Sequence, residues 1–210
     1  RRPGHWGLTL ADNPIEGVSL FEAGDVEASQ AYRDSPRAKS LFVRVGNQLN
    51  IEATMPEARF EPMSLCTRAG YQGWVYANKT AGLPLTGHLT WRGIRHDLRT
   101  LGAMGHHDFS CGYMRRETFW NWACLSGQAG AQRVGLNLSC GVNETSFSEN
   151  CYWLDGELIK VDGVHFTFDR DQPLQPWRIS SHDGQVELHF EGRGLHREQT
   201  NLGVLASNFK

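Results

Sequence analysis

Asp-Gly pairs constrain this chain most strongly, because they favour the tight two-residue turns that join antiparallel strands. Three such pairs occur, at Asp155-Gly156, Asp162-Gly163 and Asp183-Gly184. Each is flanked by β-branched, aromatic or alternating residues. The sequence therefore predicts a succession of β-hairpins.

Short segments with alternating side chains recur along the chain at intervals of roughly 8–12 residues. They include LFVRV, LNIEATM, GWVYANKT, HLTWRG, VGLNLSC, VHFTFDR and QVELHF. No window of helical length shows a sustained stripe at i, i+3 and i+4. We therefore predict an all-β fold with little helix, built as antiparallel barrels or sandwiches.

A length of 210 residues allows one large β-domain or two small ones. Gly82 and Pro84 are predicted to end one strand and begin another, and we place a division near this point, with a first β-module over 1–75 and a second over 76–210. The polar segment 25–39 is predicted to be a loop or a short surface helix. The chain begins at Arg1 and ends in a strand-like stretch, so we expect both modules to be truncated at their outer ends.

Composition excludes several classes of function. A hydrophobic share of 40%, a charged share of 21% and a net charge of -2 are typical of a soluble globular protein. The absence of a basic run argues against nucleic-acid binding. No apolar stretch approaches the roughly 20 residues of a membrane-spanning helix. We expect a cytoplasmic protein.

The cysteines and histidines favour neither a disulfide framework nor a metal site. Five cysteines form an odd set without a C-x-x-C pair, and we interpret them as reduced, mostly buried thiols of a reducing compartment. His106 and His107 are adjacent, so on a strand they point to opposite faces. No nucleotide-binding or hydrolase motif is present. We expect no metal and no cofactor.

The densest polar and aromatic segment, residues 106–127, is predicted to form two strands that meet near 112–116. Strand alternation groups its polar and aromatic side chains by face. One face of the first strand carries His106, Asp108 and Ser110, and one face of the second carries Arg116, Trp120 and Trp122. If the two strands pair as a hairpin, Asp108 meets Arg116 beneath two indole rings.

This arrangement has a chemical and a structural interpretation. The protonation state of Asp108 would depend on its burial and on its distance from the Arg116 guanidinium. A protonated Asp108 could donate a proton to a double bond, with Trp120 or Trp122 stabilising the resulting cation. The alternative is an ion pair that only stabilises the fold, with the tryptophans as core residues.

A second polar cluster follows between residues 134 and 156. Its members are amides and carboxylates, which need hydrogen-bond partners if they are buried. They are Asn137, Asn143, Glu144, Glu149 and Asn150. Asn137, Glu149 and Asn150 are candidates for binding the polar head of a ligand, and the alternative is that the cluster caps loops between strands.

Several blocks occur in an order that resembles the bacterial domain-of-unknown-function family 2804. They include D-x-S-x-G at 108–112, R-x-T-x-W-x-W-A at 116–123 and the pair Glu149-Asn150. That family is distantly similar to tandem lipocalin-like (calycin) proteins that include carotenoid hydratases. The resemblance implies β-barrels or sandwiches around an apolar pocket, lined by the neighbourhood of Asp108 and Trp122.

Three functional hypotheses follow. The first is binding of a hydrophobic or amphipathic small molecule, lipid-like or terpenoid-like. The second is a cofactor-independent hydratase, isomerase or cyclase with Asp108 as the acid and Arg116 as its tuning group. The third is a structural or partner-binding β-module with a filled interior.

Overall fold

The computed structural model describes residues 26–32, 38–56, 60–69, 71–113, 119–141, 147–195, 198–201 and 206–209. All of its regular elements are β-strands. They are β1 Val26–Tyr32, β2 Ala38–Val45, β3 Leu49–Pro56, β4 Met63–Ala69, β5 Gly73–Pro84, β6 Thr86–Trp91, β7 Ile94–Asp97, β8 Met104–Gly112, β9 Asn121–Ala129, β10 Gln132–Cys140, β11 Cys151–Leu154, β12 Glu157–Lys160, β13 Val164–Thr167, β14 Trp177–Ser181, β15 Glu187–Phe190, β16 Glu198–Asn201 and β17 Ala206–Phe209.

The strands form five antiparallel sheets, and within the described ranges none of them closes into a barrel. The first sheet has the order β1-β2-β3-β6-β7, the second β4-β5-β8 and the third β12-β11-β10-β9. The fourth has the order β13-β14-β15, and β16 and β17 form the fifth. The prediction of an all-β antiparallel fold is confirmed at this level. The described part of the chain contains no helix long and apolar enough to cross a membrane.

The chain divides into two compact units, Arg1–Lys160 and Val161–Lys210. The first, second and third sheets belong to the first unit, and the fourth and fifth sheets belong to the second unit. The division predicted between residues 75 and 76 falls within β5, inside the first unit, and stays a prediction.

The Asp-Gly pairs have different roles in the structure. Asp155-Gly156 joins β11 to β12 as a two-residue hairpin, and its φ angles of 51° and 97° are both positive, as a type I′ turn requires. Asp183-Gly184 lies in the hairpin loop between β14 and β15. Asp162-Gly163 does not form the predicted hairpin, because β12 pairs with β11 whereas β13 pairs with β14.

The described residues of the segment 25–39 do not form the predicted loop or surface helix. Its described residues lie in β1 and at the start of β2, which pair along their length from Val26↔Val45 to Tyr32↔Lys39. β1 is an edge strand of the first sheet. Polar and charged side chains are common on edge strands, because they discourage the open edge from pairing with another chain.

Alternation in β3 builds the main hydrophobic cluster. Its buried and accessible positions alternate strictly, as expected for a strand with one face on a core. This cluster, here called the first cluster, contains Val43, Leu49, Ile51, Ala53, Met55, Phe60, Leu83, Leu85, Leu89, Leu98 and Ala103. A second cluster lies between the second and third sheets and contains Met63, Ala77, Ala81, Cys151 and Trp153.

β5 connects the two clusters through a bulge. Its register against β8 shifts between Thr80 and Leu83, and Gly82 there adopts a φ of +79° that glycine tolerates without strain. The predicted break between strands in 80–86 is confirmed, because β5 ends at Pro84 and β6 begins at Thr86, but Gly82 itself lies inside β5. The backbone N–H of Gly82 donates to the Ser126 Oγ at 2.9 Å, so β9 satisfies an amide that the bulge removes from the ladder.

The bulge brings the backbones of β5 and β10 into contact. A Cβ atom at Gly135 would lie 2.3 Å from both the carbonyl carbon and the carbonyl oxygen of Ala81. Neither of these atoms belongs to a flexible side chain, so they cannot move aside. Glycine at position 135 is thus required for the second and third sheets to cross at this distance.

We expect Gly135→Ala to destabilise the first unit by about 3 kcal/mol or more, since overpacking against rigid backbone falls at the upper end of its usual range. Gly127→Ala on the adjacent strand β9 is the control, because its added Cβ would meet nothing closer than Leu125 Cδ2 at 3.8 Å. Urea unfolding followed by circular dichroism measures both. Equal stability of the two variants would contradict the close crossing.

Candidate functional site

A lysine occupies the buried face of β5. The inward positions before it on that strand are Val75 and Ala77, and both are buried. Lys79 follows at the same period of two and is 5% exposed. A lysine at such a position requires a charged or hydrogen-bonding partner, because an isolated buried charge is strongly unfavourable.

Two carboxylates provide those partners. Lys79 Nζ lies 2.9 Å from Glu149 Oε1 and 3.2 Å from Asp108 Oδ2. Asp108 is the cross-strand neighbour of Lys79 on β8, whereas Glu149 lies in the segment that leads into β11. The ammonium thus links the second sheet to the third. The Glu149 side chain is 5% exposed and that of Asp108 is 36% exposed, so Asp108 is the carboxylate that solvent reaches.

Trp122 and Asn137 extend this group on the third sheet. The indole Nε1 of Trp122 donates to Asn137 Oδ1 at 2.8 Å, and Asn137 Nδ2 donates to the backbone oxygen of Glu149 at 3.1 Å. Lys79 Nζ lies 5.7 Å from the centroid of the Trp122 ring, within the range of a cation–π interaction. We call Lys79, Asp108, Glu149, Trp122 and Asn137 the Lys79 network.

His106 borders this network. Its ring packs edge-to-face against the Trp122 ring, with centroids 6.0 Å apart. His106 is an exposed residue, and the protein atoms close to its ring still desolvate it enough to lower its pKa below the usual value of 6.5. Asp108 opposes this shift and Lys79 adds to it. His106 is therefore neutral at pH values where an ordinary histidine begins to take up a proton.

The network joins residues that the sequence singled out to one that it did not. Its predicted members are Asp108, Trp122, Asn137 and Glu149, with His106 beside them. Lys79 was missed because its partners lie 29 and 70 residues away. The available signal was a lysine in register with the apolar positions of GWVYANKT.

Other predicted site residues lie outside the network. Ser110 lies opposite Ala77, two residues further along β8 than Asp108. Trp120 precedes β9 and is exposed. Asn150 is buried, and its Oδ1 accepts the backbone N–H of Ser139 at 2.6 Å, a contact that fixes the chain beside β10. Arg116 falls in 114–118, outside the described residues, as do Asn143 and Glu144 in 142–146.

The predicted pairing of β8 with β9 does not occur among the described strands. β8 pairs with β5 and β9 pairs with β10, so the two halves of the segment 106–127 belong to different sheets. The partner that the structure gives Asp108 is Lys79. The carboxylate meets its cation along the β5–β8 ladder rather than across a local hairpin.

The cysteines are free thiols, but the prediction that most are buried is wrong. Cys66, Cys111 and Cys140 are exposed, whereas Cys124 is intermediate and Cys151 is buried. Burial raises the pKa of both Cys124 and Cys151 to about 12, and the Asp108 charge contributes to the shift at Cys124. These two thiols remain protonated at neutral pH and are poor nucleophiles. Across the described ranges, no group of three or more His, Cys, Asp or Glu residues is arranged to hold a metal ion.

We expect Lys79→Met to reduce the free energy of unfolding by about 3 kcal/mol at neutral pH, because it leaves the buried Glu149 carboxylate without its cation. Adding Glu149→Gln to this variant should recover at least about 1 kcal/mol, since the two positions interact directly. Lys160→Met is the control, because Lys160 Nζ donates to the neutral carbonyl of Ser148 and its charge acts on Glu149, whose contact is with Lys79. Its loss should stay near about 1 kcal/mol in urea denaturation. A Lys79→Met variant as stable as the control would show that the ion pairs of Lys79 do not contribute to stability.

We expect His106 to titrate below 6.5, and two substitutions should shift its pKa in opposite directions. Asp108→Asn should lower it further and Lys79→Met should raise it, because these charges act with opposite sign. The unfolded chain binds more protons than the folded one between the folded pKa and 6.5, so the free energy of unfolding should decrease as the pH falls through this interval. NMR titration of the imidazole measures the shifts. A shift of the same sign in both variants would contradict the assigned geometry.

Comparison with known proteins identifies a family but no characterised relative. The model of the family described as domain of unknown function (DUF2804) matches residues 5–210. No curated protein and no solved structure matches the chain. The match spans nearly the whole sequence, and the chain therefore belongs to the DUF2804 family.

Proposed function

We propose that this chain binds an amphipathic small molecule at the Lys79 network. The polar head of the molecule contacts Asp108, and its apolar part lies on Trp122 and the neighbouring aromatic side chains. The observation that carries the proposal is the ion-paired, 5% exposed Lys79 beside a carboxylate and an indole that solvent still reaches. Buried ion pairs contribute little net stability compared with apolar residues. A buried lysine whose carboxylate partner is reached by solvent therefore favours a functional role.

Accessible aromatic surface supports this location. Trp122 is 40% exposed, although its indole N–H is fixed by Asn137. Trp120 and Phe119 are exposed in the segment just before β9. Backbone atoms of Phe119 and Trp120 lie next to Gly141, at the end of β10. Large apolar side chains grouped at a surface are typical of sites that bind ligands or partners.

Binding is better supported than proton-transfer catalysis. The hydratase, isomerase or cyclase hypothesis needs Asp108 as a proton donor. In the structure, Asp108 Oδ2 accepts a hydrogen bond from the Lys79 ammonium. This contact fits a hydrogen-bond acceptor better than a proton donor. Catalysis through Asp108 stays a prediction from the sequence, and so does a purely structural β-module.

The test is an NMR titration with n-octanol and octyl glucoside, which follows the indole N–H resonances of wild type and two variants. Trp122→Phe should weaken binding about five- to tenfold, because truncation of a central aromatic contact exceeds about 1 kcal/mol. Trp74→Phe is the control, since Trp74 is 43% exposed on the opposite face of β5. The proposal would be refuted if neither compound bound, or if the two variants lost the same amount of affinity.

A further inference from the structure

The charged groups of the Lys79 network do not cancel. Asp108 and Glu149 carry two negative charges, and Lys79 supplies a single positive charge in contact with both of them. His106, which borders the network, adds no positive charge at neutral pH because desolvation lowers its pKa. Lys160 also acts electrostatically on Glu149, the buried carboxylate. The charged groups in contact within the network therefore sum to one negative charge, which Lys160 offsets on the Glu149 side, and the exposed carboxylate is Asp108.

The negative charge is also the more accessible one. The Lys79 side chain is 7% exposed, and both of its contacts are with carboxylates. The Asp108 side chain is 36% exposed. A molecule that approaches from solvent meets the Asp108 carboxylate first. An anionic head would have to approach that carboxylate, whereas a cationic head gains an ion pair.

The orientation of Trp122 favours the same sign of charge. Its N–H donates to Asn137, so the indole has no hydrogen-bond donor left for a carboxylate or phosphate. What remains exposed is aromatic ring surface, which attracts cations. Lys79 Nζ, at 5.7 Å from the ring centroid, already uses this property of the ring.

We propose that the head group of the bound molecule is an organic cation, an ammonium or quaternary ammonium group, held between the Asp108 carboxylate and the Trp122 ring. This inference rests on the proposed function, since it names the class of amphipathic molecule that the same site binds. Recognition of a quaternary ammonium by an aromatic ring and a carboxylate needs no donor from the protein. The fixed indole N–H therefore does not interfere, and the cationic head lies on the solvent-exposed side of Asp108 and Trp122, because the Lys79 ammonium occupies their buried side.

The experiment compares three probes with the same apolar chain: octyltrimethylammonium, n-octanol and octanoate. Each is titrated into the full chain at neutral pH and low salt, with the Trp122 indole resonance as the signal. Octyltrimethylammonium should bind about tenfold more tightly than octanoate, with octanol between them. Asp108→Asn should weaken the binding of octyltrimethylammonium about fivefold and leave the binding of octanol unchanged. Glu157→Gln is the charge-matched control, because it removes an exposed carboxylate at the β11–β12 turn.

The outcomes separate the two proposals. Octanoate binding as tightly as octyltrimethylammonium would overturn the cation inference and leave amphiphile binding intact, whereas no binding by any of the probes would overturn both. An equal effect of Asp108→Asn and Glu157→Gln would overturn the role of Asp108.

If Asp108→Asn does not fold, the salt dependence of binding to the wild type provides the test. Raising the salt concentration from about 0.01 to about 0.1 M shortens the screening length from about 30 to about 10 Å. This change should weaken the binding of octyltrimethylammonium several-fold and leave the binding of octanol unchanged. Equal effects of salt on the two probes would overturn the inference.

Discussion

The buried ammonium of Lys79 is the interaction that ties the second sheet to the segment leading into the third. It is held by Glu149 at 2.9 Å and by Asp108 at 3.2 Å; Asp108 lies on β8 of the second sheet, whereas Glu149 lies in the segment that leads into β11 of the third. A buried charge must keep its partners, because their loss leaves an uncompensated ion in a poorly solvated interior. The position of Glu149 ahead of β11 is therefore linked to that of β8. The Trp122–Asn137–Glu149 hydrogen bonds extend the same constraint across the third sheet.

The local pattern of the sequence was sufficient for the class of fold. Alternation in LNIEATM predicted β3, whose buried positions follow it residue by residue. The Asp155-Gly156 pair predicted a tight hairpin, and the structure forms it as a type I′ turn, whose positive φ angles both residues tolerate. These features depend on neighbours in the chain. The lipocalin-like closure that the resemblance implied concerns the joining of sheets, and no described sheet closes on itself.

The candidate site could be predicted only in part, because its geometry depends on pairing between distant strands. Asp108 and Trp122 stood out for their residue types, and strand alternation placed Asp108 on a definite face. The strand opposite that face could not be inferred locally, and a hairpin with the following segment was the simplest expectation. The structure pairs β8 with β5 instead, which gives Asp108 a lysine as its partner. For β1, the polar composition of the segment predicted a loop or a short helix, whereas its described residues form an edge strand.

The bulge in β5 has a consequence for the unity of the first unit. Ala77 before the bulge and Ala81 within it pack in the second cluster; after it, Leu83 packs in the first cluster. One continuous strand thus forms part of the wall of both clusters. A cut anywhere between them would leave each fragment with an exposed apolar flank and half of a broken ladder. A shortened version for expression or design should therefore keep the first three sheets together.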